Sequence, residues 1–69
     1  MDQIQDQFED FLKVHGDDYA HEVSYHYKRN KGDLQKTERD VNDMACEFYG
    51  DNLIKCFEMM KKLKNFNDF

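Results

Sequence analysis

Apolar side chains recur at three- and four-residue steps in four separate runs of this chain, the spacing of one face of an α-helix. The first run offers Ile4, Phe8, Phe11 and Leu12, and the second Tyr19, Val23 and Tyr27 with Ala20 beside them. The third gives Leu34, Val41, Met44, Ala45 and Phe48; the fourth gives Leu53, Ile54, Phe57, Met60 and Leu63. None alternates over enough residues to suggest a strand. Proline is absent and β-branched residues are few, which removes the commonest obstacles to helix.

Three glycines punctuate these runs, each followed by aspartate: Gly16-Asp17, Gly32-Asp33 and Gly50-Asp51. Glycine readily takes the left-handed conformation that ends a helix, and aspartate can accept the free amides that begin the next. The spacing predicts helical segments over 2–15, 18–31, 34–49 and 52–66. Asn30-Lys31-Gly32-Asp33 is the strongest turn, since polar turn-formers surround its glycine. The other two breaks are weaker, because the apolar stripe can run on from Leu12 through His15 to Tyr19, and from Phe48 through Asn52 to Cys56. The expected fold is all-α, a compact bundle of three or four short helices over residues 1–66, with 67–69 a frayed tail. The alternative is two long helices in a hairpin that dimerises.

At 69 residues the chain is one domain, small enough that self-association or a partner would add usefully to its core. Its formal charge of −5, from fifteen acids and ten Lys and Arg, works against non-specific attraction to nucleic acid or anionic lipid. The charge is distributed in blocks. Residues 1–18 and 32–52 are acidic, whereas 19–31 and 53–69 are basic. The opening MDQIQDQFEDFLKVH is acidic and lacks a long apolar run, unlike a signal peptide or a membrane span. A reducing, cytoplasmic setting with no membrane association is the expectation.

Candidate chemistry is thin. His21 and His26 are five residues apart, so they point about 140° apart on a helix and miss the shared face of a zinc-protease motif. A calcium loop starting at Asp43 fails, with Ala45, Phe48 and Ile54 where oxygens or glycine are needed. No serine–histidine elbow or phosphate-cradling glycine loop is present. No catalytic residue, metal or cofactor is expected, and the chain is not expected to be an enzyme. Cys46 and Cys56 could bridge if the chain turns at Gly50; on one continuous helix they would be about 15 Å apart, beyond the roughly 7 Å limit for a disulfide. Their nine-residue spacing resembles one half of the helical-hairpin family of mitochondrial intermembrane proteins that carries two such pairs; the second pair is missing here.

The remaining expectation is binding. Tyr25, Tyr49, Phe66 and Phe69 fall off the core stripes and could anchor an interface. Acidic residues such as Asp6, Glu9, Asp10, Asp40 and Asp43 would complement a basic partner surface. This points to a small acidic regulator, inhibitor or adaptor of another protein, with a basic functional surface as the expected target; a homodimer is a further option. The alternative is nucleic-acid binding through Lys28, Arg29 and Lys31 together with Lys61, Lys62 and Lys64.

Overall fold

The computed structural model describes residues 3–67. Four α-helices follow one another: α1 (Gln3–His15), α2 (Asp18–Arg29), α3 (Leu34–Met44) and α4 (Asp51–Leu63). A π-helical turn, Ala45–Tyr49, extends α3. The protein is a compact all-α bundle of four short helices, and the two-long-helix alternative is overturned. Gly16 and Gly50, both at φ 74°, break the chain where the apolar stripe alone could have continued.

The fourth helix is the centre of the bundle and packs on the other three. Its face of Leu53, Cys56, Phe57 and Met60 is buried, against Phe8 of α1, Ala20 and Val23 of α2, and Val41 of α3 with Ala45 beyond it. Full burial of each large apolar side chain stabilises by about 1.5–3 kcal/mol. Leu34 was expected in this core but is 40% exposed; as the first residue of α3 it precedes the packed turns.

Tight connections set the directions of the helices. α2 and α3 run antiparallel, with His26 beside Asp40 and Asn30 beside Thr37. Gly50 reverses the chain again, so α4 runs parallel to α2. Ring contacts mark both ends of that pair. Tyr19 meets Tyr49 at 5.9 Å near the N-termini, and Tyr27 meets Phe66 at 4.4 Å beyond the C-termini.

The three Gly-Asp pairs are not equivalent. Asp33 caps α3, accepting from the amides of Gln35 and Lys36 at 3.1 and 3.2 Å. Asp17 makes no such bond; its carboxylate faces His21 instead, at 3.6 Å. Gly50 itself precedes α4 at φ 74°, ψ −167°, a region essentially restricted to glycine.

Two lysines share the left-handed work. Lys31 (φ 55°) closes α2, with Gly32 N–H donating to Tyr27 C=O at 2.9 Å. Lys64 (φ 56°) closes α4, with Asn65 N–H donating to Met60 C=O at 3.2 Å. This second turn sends the chain back on itself and corrects the expectation for Phe66. That ring is only 6% exposed, stacked on Tyr27 at an interplanar angle of 12° and tilted against Phe57. It is a core residue, not a surface anchor. Phe69, the other tail aromatic, lies outside the described residues.

Because Phe66 closes the end of a small core, Phe66→Ala should destabilise by about 3 kcal/mol, a large share of the roughly 3–10 kcal/mol expected for a domain of this length. Urea unfolding followed by circular dichroism checks this. A loss below about 1 kcal/mol would mean the ring is not structurally engaged.

Candidate functional site

The parallel course of α2 and α4 sorts the charge at the termini of these two helices into two ends. At one end lie the start of α2, the end of α3 with its π-turn, and the start of α4. They bring Asp17, Asp18, Asp43, Glu47 and Asp51 into one region. At the other end the C-termini of α2 and α4 lie together. Lys28, Arg29 and Lys31 therefore join Lys61, Lys62 and Lys64, although about thirty residues of chain separate the two groups. Asp6, Glu9 and Asp10 are exposed on α1, separate from the π-turn in the chain.

The π-turn decides which aromatic faces water. Gly50 N–H donates to Ala45 C=O, five residues back, at 2.8 Å. A π-turn is wider than an α-turn and shifts the phase of everything after it. Phe48, expected in the core stripe, is turned out and is 78% exposed. Tyr49, expected off the stripe, is half-buried against Tyr19. Burial, and then the adjacent Glu22 carboxylate that its hydroxyl meets, hold the Tyr49 phenol above its ordinary pKa. The two neighbours have exchanged the roles their spacing implies. Tyr25 remains as expected, 58% exposed on the outer face of α2.

Asp43 and Glu47 stand at the C-terminal end of α3, where the helix dipole disfavours carboxylates. Both are exposed and have no ion-pair partner among the described residues. Their placement does nothing for the stability of α3, in contrast to Asp18 and Asp51 in the first turns of α2 and α4. Val14, 76% exposed near the end of α1, adds a second apolar group close in sequence to the His15–Tyr19–Tyr49 ring series.

Asp40 has a different role from the exposed acids. Asn30 Nδ2 donates to its Oδ2 at 2.9 Å and to Thr37 Oγ1 at 3.3 Å, while Thr37 Oγ1 donates to Asp33 C=O at 2.8 Å. His26 lies between Asp40 and Glu22, with Nδ1 3.4 Å from Asp40 and Nε2 3.7 Å from Glu22. The Nδ1 contact lacks hydrogen-bond geometry, so this buried atom has an electrostatic neighbour only. The Asn30 hydrogen bond, then the His26 and Arg29 charges, hold the Asp40 carboxyl below the ordinary carboxylate pKa against the opposing effect of burial. These contacts tie α2 to α3 and occupy Asp40 inside the fold.

The cysteines are both free, Cys46 exposed and Cys56 buried. The bridge considered from sequence is not formed. Cys56 Sγ faces Met60 Sδ at 3.7 Å, and burial pushes its thiol up to about 12. Among the described residues no group of three His, Cys, Asp or Glu is placed to hold a metal ion. No helix among the described residues is long and apolar enough to cross a membrane.

These features define a four-helix bundle with a carboxylate-rich end bearing an exposed phenylalanine and a basic end built from two helix C-termini. No protein-family model, curated protein or solved structure matches this chain.

Two measurements test this geometry. Because the folded pKa of Asp40 is lowered, its contribution to stability is present above the ordinary carboxylate range, about pH 4, and is lost as pH falls through the folded value. Asp40→Asn should therefore lower the urea midpoint at neutral pH, with the difference from wild type shrinking as pH falls below the ordinary carboxylate range. A difference independent of pH would contradict the assignment. A disulfide-exchange reagent at about pH 8 should titrate Cys46 rapidly and Cys56 only on unfolding; two equally fast equivalents would be inconsistent with the packing of Cys56.

Proposed function

We propose that this protein is a stoichiometric binding module, a regulator, inhibitor or adaptor of another protein, and that its carboxylate-rich end covers a basic surface on that partner. The observation carrying this reading is Phe48. A large ring 78% exposed, placed outward by a π-turn, with exposed Glu47 next to it in the chain and exposed Asp43 and Asp51 within five residues, has the make-up of an interface anchor with a charged rim. π-Turns carry a local energetic penalty and recur at functional positions. The acids at the end of α3 point the same way, since they oppose the helix dipole and have no ion-pair partner among the described residues.

Mechanistically, the aromatic ring supplies desolvated contact area and the carboxylates supply steering and selection. Electrostatic attraction raises the association rate and disfavours acidic competitors. A bound domain of these dimensions, 31 × 23 × 15 Å, would block access to the surface it covers. Tyr25 is on the outer face of α2 and is not needed for this contact. Asp40, partly exposed but bonded by Asn30, is left out of the proposed binding set, whereas Asp43 stays in it.

The test is affinity capture from nuclease-treated lysate of the source cells, comparing wild type with Phe48→Ala. One near-stoichiometric protein should be retained by wild type, and its affinity should fall at least about tenfold with Phe48→Ala, the behaviour of an aromatic hot spot. Because Phe48 is exposed, the variant should keep its thermal midpoint. Capture that is unchanged by the substitution, or that disappears with nuclease, would refute the reading.

A further inference from the structure

We propose that the opposite end of the bundle is a docking surface for single-stranded nucleic acid, with lysines on the phosphates and Tyr25 as a stacking platform for a base. Two basic groups that are remote in sequence form a single cationic end here. The stack of Phe66 on Tyr27, 4.4 Å between ring centres, clamps the C-terminus of α4 beside that of α2. Lys31 and Lys64 both sit in left-handed turns at this end, at φ 55° and 56°. Each is exposed, as are Arg29 and Lys62.

Much of the negative charge near this end is already engaged. Asp33 caps α3 through backbone amides, Asp40 accepts from Asn30, and Glu58 faces Lys61 at 3.4 Å. Glu38 remains exposed, as do Asp6, Glu9 and Asp10 of α1, whose C-terminal end meets Tyr19 at the start of α2. α2 and α4 are 12 and 13 residues long, which sets the far-end carboxylates about 18–20 Å away along the helix axes. At about 0.1 M salt the screening length is roughly 10 Å, so those acids do not cancel the field at the basic end. The net charge of −5 is therefore a poor guide to what this end attracts.

Single strands fit better than the other polyanions. Tyr25 is 58% exposed and precedes Arg29 by four residues, on the same outer face of α2. An exposed ring one helical turn from cationic side chains can stack on an unpaired base while the phosphates meet the charges. A duplex keeps its bases stacked internally and offers nothing to that ring. A lipid surface would need apolar side chains to insert, and the rings at this end, Tyr27, Phe57 and Phe66, are packed on one another.

This surface is separate from Phe48, so either proposal can fail without the other. The experiment is fluorescence anisotropy with a labelled oligothymidine of about a dozen nucleotides, the full chain and salt from about 50 to 200 mM. Contacts from Arg29, Lys31, Lys62 and Lys64 would give an affinity loss of about 50-fold over that range. A variant carrying Lys31→Gly, Lys62→Gln and Lys64→Gly should bind at least about tenfold more weakly and show a shallower salt dependence. Glycine suits both left-handed positions, so this variant should be no less stable than wild type, and its melting curve checks that. Tyr25→Leu should weaken binding about fivefold or more, and Phe48→Ala should leave it unchanged. The proposal is overturned by absent binding at the lowest salt, by insensitivity to the lysine variant, or by insensitivity to Tyr25→Leu. It is equally overturned if a matched duplex or anionic lipid vesicles bind as tightly as the single strand.

Discussion

Burial of one face of α4 is the constraint on which the other parts of this bundle depend. Leu53, Cys56, Phe57 and Met60 are all but inaccessible, and each of the other helices packs on this element. A chain this short has little apolar material to distribute. One central helix surrounded by three others makes the most of it. Phe66 completes the arrangement by folding back over the end of the core, and in doing so it holds the C-termini of α2 and α4 together.

Charge polarity follows from that packing. Short connections make α2 and α3 antiparallel and then α3 and α4 antiparallel, which leaves α2 and α4 parallel. Acids at the N-termini of this pair and bases at its C-termini agree with the helix dipoles. That agreement explains Asp18 and Asp51, and part of the role of the lysines. It does not explain Asp43 and Glu47, which stand at the unfavourable end of α3. Residues that work against local stability are informative about binding when nothing inside the fold compensates them.

The π-turn is the second determinant. One extra residue within the turn exchanges the environments of Phe48 and Tyr49. The ring that would have extended the core meets solvent, and the one that would have been exposed packs on Tyr19. Gly50 makes this geometry affordable, because its φ and ψ combination is closed to residues with a side chain. A local irregularity thus sets the character of a whole end of the protein.

By itself the sequence determined the all-helical class, the limits of the candidate segments within a few residues and most of the core, because a three-to-four-residue apolar period and glycine breaks are local signals; whether Gly16 and Gly50 divide two long helices into four was left to the structure. It also marked Tyr25 as exposed and raised both basic groups as candidates. Three matters were decided only by tertiary structure. Phe66 became core because the left-handed turn at Lys64 lets Tyr27 and Phe57 receive it, and those partners are remote in the chain. Phe48 and Tyr49 exchanged places because a π-turn alters phase without leaving a composition signature. The two lysine groups became one surface because helix direction depends on successive turns and on packing against α4. Local periodicity encodes which face of a helix is apolar; only the assembled core determines which ends, and therefore which charges, come to lie side by side.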